Sequence, residues 1–171
     1  MLVIGGASSG KSTVALALAS RGLLRRQPKA FVATAQALDS EMAAKIRRHQ
    51  SSRDGSWTTA DVPIDMVGWF QKHGPSYKAI VVDCVTLWLS NLIGQGWRNE
   101  AVLELTNELL SVIRATPTRV VLVTNELGLG LVPAEAQGRR FRDLAGEVNQ
   151  LIAAQAAEVH GVVSGIPLRM K

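Results

Sequence analysis

Cysteine is nearly missing from the 171 residues: Cys84 stands alone, so no internal disulfide can form. The histidines His49, His73 and His160 do not join it in any spacing that a structural zinc site needs. No run approaches the roughly 18 consecutive apolar residues of a membrane span. The amino terminus passes from MLVI straight into a glycine-rich turn, without the basic segment and cleavage site of a secretory leader. A cytoplasmic protein with no membrane span is expected. Aromatic residues make up 5% of the chain and do not interleave with the basic clusters Arg21, Arg25, Arg26, Lys29 and Arg47, Arg48, Arg53. Base stacking needs such rings, so those clusters read as solvated faces or as part of a phosphate-binding wall, and no nucleic-acid partner is expected.

What is present is apolar material, 47% of the residues, enough for one compact domain over residues 1–171. The net charge of +5 favours anionic partners without choosing among nucleotides, phosphorylated metabolites and nucleic acids. Short apolar runs alternate with longer amphipathic stretches: LVIG at Leu2, AFVAT at Ala30, AIVVD at Ala79, VVLVT at Val120 and EVHGVVS at Glu158. Most of these runs are continuously apolar, as in strands buried on both faces of a mostly parallel sheet flanked by helices. Helices are expected over Ser12–Leu24, Leu38–Gln50, Asn99–Arg114 and Arg140–Ala157, with a further one at TLWLSNL after Asp83. The polar stretches Ser51–Asp61 and Glu126–Gln137 read as surface loops.

Gly5, Gly6, Ala7, Ser8, Ser9, Gly10, Lys11 and Ser12 spell GGASSGKS, a G-x-x-x-x-G-K-S turn directly after an expected strand and opening an expected helix. Glycines let backbone N–H groups curl around phosphate oxygens, and the helix amino terminus adds partial positive charge. Lys11 then reaches the outer phosphates, and the Ser12 hydroxyl can hold Mg²⁺. At the end of AIVVD, Asp83 is either a second Mg²⁺ ligand or the cap of the helix that follows. TNEL at Thr124 is not the N-K-x-D base-reading motif of a GTPase switch. The chain is also too short for a transporter ATPase, so a small-molecule kinase or nucleotidyl transferase of α/β, RecA-like P-loop architecture is expected.

His49 closes the second expected helix, with Lys45, Arg47, Arg48 and Arg53 near it in sequence. Neighbouring cations favour the neutral imidazole, which can attack the α-phosphorus of a nucleoside triphosphate and carry the nucleotidyl group. Local sequence equally allows an exposed helix-end histidine.

Seven segments in order carry a resemblance that covers nearly the whole chain: GGASSGKS at Gly5, FVATAQALDSEMAAKIRRHQ at Phe31, WTTAD at Trp57, VVDCVTLWLSNLI at Val81, VLVTNELGLGLVP at Val121, FRDLAGEVNQ at Phe141 and the terminal VVSGIPLRMK. The set resembles the bifunctional adenosylcobinamide kinase/adenosylcobinamide-phosphate guanylyltransferase family of cobalamin biosynthesis. The resemblance implies phosphorylation of adenosylcobinamide by ATP or GTP, then transfer of GMP from GTP to the product through a guanylylated histidine at His49, with release of pyrophosphate. It implies GTP contacts at Gly5 to Ser12, at Thr34, Ala35 and Gln36, at Gln50, Ser51, Ser52 and Arg53, and at Asp61 and Asp83. It also implies a homotrimer, to which Leu87, Trp88, Leu89 and Leu92 would offer an apolar surface, although core packing explains these residues as well. Ser8 stands where arginine is common in the family, and Asp61 and Asp83 where some relatives carry glutamate, each acid keeping its charge with one methylene less reach. A monofunctional P-loop kinase and a nucleotide-dependent nucleic-acid binder are the competing readings.

Overall fold

The computed structural model describes residues 1–36 and 55–171. The expected helix Leu38–Gln50 lies outside the described residues, as do the candidate site residues His49, Gln50, Ser51, Ser52 and Arg53. In chain order the elements are β1 (Leu2–Gly5), α1 (Lys11–Ser20), β2 (Lys29–Ala33), β3 (Trp57–Asp61), α2 (Met66–His73), β4 (Ala79–Asp83), α3 (Val85–Gly94), α4 (Asn99–Ala115), β5 (Arg119–Asn125), α5 (Ala136–Gln155), β6 (Val159–Val163) and β7 (Ile166–Arg169). A 3₁₀ turn, Gly74–Ser76, links α2 to β4.

The strands form one sheet of seven, ordered β3-β2-β4-β5-β1-β6-β7, parallel throughout except for the antiparallel β6–β7 pair. Period-two alternation divides the core. Val3, Phe31, Val81, Val121 and Val123 pack with Ala15, Leu18 and Ala19 of α1 on one face. Leu2, Val32, Ile80, Val82 and Leu122 pack on the other with α2 to α5 through Met66, Trp88, Leu109 and Val148. Burial on both faces is why β2, β4 and β5 are continuously apolar, as their sequences predict.

The departures from expectation have local causes. Helix α1 stops at Ser20 rather than Leu24, because Gly22 takes the left-handed conformation at φ +74°. The Arg119 guanidinium donates to the carbonyls of Ala19 and Arg21 there, placing a cation at the helix carboxyl end. The second half of the expected loop Ser51–Asp61 is strand β3, parallel to β2 at the end of the described strand order, with Thr58, Thr59 and Asp61 exposed. Helix α2 and strand β7 are additions. Asp65 caps α2 by accepting from the Gly68 N–H at 2.9 Å. Trp88, Leu89 and Leu92 are at most 1% exposed inside the chain's own core, so they offer no surface to a partner.

Candidate functional site

Because six strands run in parallel, their carboxyl ends share one edge, where open α/β sheets present their binding residues. The edge gathers the Gly5–Ser12 turn after β1, Thr34–Gln36 after β2, Asp61 ending β3, Asp83 ending β4, and Asn125 with Glu126 after β5. Strand order spreads them: Asp83 lies two strands from Gly5, about 10 Å, and Asp61 lies four strands away, about 19 Å. Gly5 pairs with Asn125, whereas Asp83 pairs with Val123, so Asn125 stands about 7 Å further out than Asp83.

The β1–α1 turn is closely braced. Gly10 adopts φ +91° and leads into α1 with no side-chain hydrogen bond at the amino cap. Lys11 is buried, and its Nζ donates to the Gly6 carbonyl, which keeps the ammonium inside the concavity of the turn. The Ser9 hydroxyl is buried without a hydrogen-bond partner, an orphaned polar group facing the Gly5 backbone. The β6–β7 turn supports the loop from behind, Gly165 N–H donating to the Ser9 carbonyl at 2.8 Å.

Asp83 is half-buried, and the helix-cap alternative is not realised: the amino cap of α3 is Cys84, with no side-chain cap bond. Thr34 fixes the backbone beside it. Its Oγ1 accepts from the Cys84 N–H at 2.8 Å and donates to the Cys84 carbonyl at 2.7 Å. The Thr34 N–H donates to the Asp83 carbonyl at 3.2 Å, and its own carbonyl accepts from Asn91 Nδ2 at 2.8 Å. Thr34 is fully buried, and its hydroxyl, N–H and carbonyl are each hydrogen-bonded inside the chain, which ties the end of β2 to the end of β4. Ala35 and Gln36 beside it are half-buried. The Cys84 thiol is buried, and burial first, then the Asp83 charge, push its pKa up to about 11.

A second network was not anticipated. Thr86 Oγ1 accepts from the Asn125 N–H at 2.8 Å and lies 3.2 Å from Thr124 Oγ1, which donates to Asn149 Oδ1 at 2.8 Å. Asn149 Nδ2 returns to the Asn125 carbonyl at 3.1 Å. Glu126 N–H donates to the Gly5 carbonyl at 3.0 Å, joining the end of β5 to the glycine turn. In sequence, Thr124–Glu126 lacks the GTPase motif and belongs to one of the segments that carry the family resemblance; the buried strand β5, which runs into it, is the clue to its place at the site edge.

The basic residues Arg25, Arg26 and Lys29 are at the opposite end of the strands. With Ser56 and Thr58 they line an open cavity of about 540 Å³ where β2 and β3 begin. Lys29 is buried there with Nζ 5.4 Å from the Trp57 ring centroid. They are therefore no wall for phosphates held at the carboxyl edge. Among the described residues, no group of three or more His, Cys, Asp or Glu side chains forms a metal cluster, and no helix is long and apolar enough to cross a membrane.

A family described as cobinamide kinase / cobinamide phosphate guanyltransferase matches residues 1–170. The chain is 37% identical to the bifunctional adenosylcobalamin biosynthesis protein CobP of Pseudomonas aeruginosa, covering 99% of this chain and 96% of that protein. It is 38% identical to the bifunctional adenosylcobalamin biosynthesis protein CobU of Salmonella typhimurium, covering 100% and 99%. Among solved structures it is similar in fold to the flagellar accessory protein FlaH of Methanocaldococcus jannaschii, with TM-score 0.56, 16% identity and coverage of 99% and 76%. The RadB recombinase follows at TM-score 0.51 and 14% identity, covering 94% and 72%. These two likenesses carry the RecA-like P-loop α/β fold and nothing finer.

Proposed function

Because the chain belongs to the cobinamide kinase / cobinamide phosphate guanyltransferase family, it is a bifunctional corrinoid kinase and guanylyltransferase, and we propose how its residues divide that work. The observation that carries the proposal is the braced glycine turn at the carboxyl edge, with Lys11 held inside it. Gly5, Gly6, Ala7, Ser8, Ser9 and Gly10 wrap the phosphates of ATP or GTP, the α1 amino terminus faces them, and Lys11 neutralises the outer charge. The orphaned Ser9 hydroxyl is a donor ready for a phosphate oxygen.

Ser12 and Asp83 would hold Mg²⁺; one hydroxyl and one carboxylate, with phosphate oxygens and water, suit a hard octahedral cation. When bound, Mg²⁺ supplies charge neutralisation at the phosphates. In the kinase step the aminopropanol hydroxyl oxygen of adenosylcobinamide bonds to the γ-phosphorus. The bond to the bridging oxygen breaks, the nucleoside diphosphate leaves and the hydroxyl proton is released.

In the second reaction the neutral His49 imidazole attacks the α-phosphorus of GTP and pyrophosphate leaves. A phosphate oxygen of adenosylcobinamide-phosphate then displaces the imidazole, giving adenosylcobinamide-GDP and freeing His49. Thr34, Ala35, Gln36, Gln50, Ser51, Ser52, Arg53 and Asp61 supply contacts to base and ribose, Thr34 also tying the end of β2 to the Cys84 backbone. We read residues 1–171 as one domain acting on small molecules in the cytoplasm, without a nucleic-acid partner.

The assembly is read as a homotrimer, supported by apolar Ile166, Leu168 and Met170, each more than half exposed along the β7 edge. Light scattering should give the mass of three chains; the mass of one chain would refute it. The test of the mechanism is intact-protein mass after incubation with GTP and Mg²⁺. Wild type should gain one GMP that brief acid removes, as a phosphoramidate requires, and His49→Ala should gain none. An adduct of equal yield on His49→Ala would move the nucleophile elsewhere.

A further inference from the structure

The VTNELGLGLVP segment is not absorbed by phosphate binding or by the histidine, and the structure gives it an unusual form. Between β5 and α5 the chain leaves the carboxyl edge beside the glycine turn, where Glu126 N–H meets the Gly5 carbonyl at 3.0 Å. Leu127 packs on the core, but Leu129 is 91% exposed, Leu131 97% and Val132 67%. Large aliphatic side chains exposed so close together along one loop mark a surface built to be covered.

The loop backbone, by contrast, is tied down. Glu126 Oε1 accepts from the Gly128 N–H at 2.6 Å, and Arg142 Nη2 donates to the Gly128 carbonyl at 2.6 Å. Arg139 Nη1 donates to the Pro133 carbonyl at 3.1 Å, and also to that of Ala134. Two arginines of α5 thus hold both flanks of the loop, with the apolar residues between them exposed.

We propose that Leu129, Leu131 and Val132 form the acceptor subsite, packing against the corrin macrocycle of adenosylcobinamide while its aminopropanol arm reaches the glycine turn. This rests on the corrinoid reading above. The ligand chemistry fits: a corrin ring presents methyl and methylene groups between its amide arms, an apolar surface too broad for a closed pocket and suited to an exposed loop. The position fits as well, since the loop is rooted on the strand adjacent to the phosphate-binding turn, and the acceptor hydroxyl has to approach the outermost phosphate.

The test compares wild type with the double variant Leu129→Ser/Leu131→Ser. Kinase turnover is measured over a range of adenosylcobinamide at saturating nucleotide, and self-guanylylation by GTP is measured with no corrinoid present. Both side chains are exposed, so the variant should fold, and its self-guanylylation reports this independently. The expected result is a KM for adenosylcobinamide raised about tenfold or more, equivalent to about 1.4 kcal/mol, with KM for the nucleotide and the self-guanylylation rate unchanged. An unchanged corrinoid KM overturns the subsite. So does a loss of assembled mass by light scattering that accounts for the activity change, because the loop would then cover a second copy of the chain. A wild type that guanylylates itself but never turns over adenosylcobinamide would overturn the corrinoid reading itself, and the subsite with it.

Discussion

Cys84 shows how one buried side chain records its surroundings. The thiol sits between the Asp83 carboxylate and the core, and burial with that negative charge raises its pKa from the ordinary 9.0 to about 11. In the unfolded chain the thiol ionises first, so between about pH 9 and 11 the folded state binds more protons than the unfolded state. Stability therefore falls as pH rises through that window, and below it the thiol contributes no slope. Urea unfolding of wild type and Cys84→Val should give a stability difference that is constant below pH 9 and moves against wild type above it. A difference flat to pH 11 would show that the thiol is not buried as described. The sequence marks Cys84 only as a lone cysteine, and it cannot show what the Thr34 side chain bonds. Its hydroxyl bonds the Cys84 backbone 50 residues away. A pairing over that separation leaves no local pattern to read, and the same holds for Thr86, Thr124 and Asn149.

The β1–α1 turn and the β6–β7 hairpin work as one unit. A Cβ on Gly5 would stand 2.4 Å from the Val162 carbonyl oxygen and 2.9 Å from Ser9 Oγ, while one on Gly6 would meet nothing within 4 Å. The first obstacle is backbone of the neighbouring strand, so Gly5→Ala must push β1 from β6, at a cost of about 1–3 kcal/mol by overpacking. Gly6→Ala should stay within about 0.5 kcal/mol of wild type. Thermal unfolding of the two variants decides it, and equal stabilities would mean that the hairpin does not brace the turn. The glycine turn was legible from its motif and from the strand and helix around it. Its brace was not: β7 is exposed along its whole length and carries no buried run. Strand β3 escaped for the same reason at the other edge, and α2 because eight residues including a glycine give too little period. Five strands could be read, β1, β2, β4, β5 and β6, and composition betrays the element most plainly in β2, β4 and β5, which are buried on both faces.

The two ends of the sheet carry separate chemistries. The carboxyl end holds the glycine turn, Asp61, Asp83 and the apolar loop, and the amino end holds the basic cavity of Arg25, Arg26 and Lys29. A chain of net charge +5 could be expected to use all its cations in drawing nucleotides to the site. Geometry argues otherwise for this group. Five residues of β2 separate the cavity from the carboxyl edge, about 16 Å along the strand. The screening length at physiological salt is only about 8 Å. Arg25 and Arg26 are exposed, so their fields reach the site mainly through water. Arg25→Ala/Arg26→Ala should therefore leave kcat unchanged and shift KM for GTP less than about twofold at physiological ionic strength, where screening by salt is strong. Lowering the salt should enlarge the shift, because the screening length grows to about 30 Å at 0.01 M. A large rise in KM that persists at high salt would mean that these arginines touch the nucleotide directly, which strand direction and sheet order do not allow within one chain. The cations would then have to come from a neighbouring copy, and the same kinetic measurement would thereby report on the assembly.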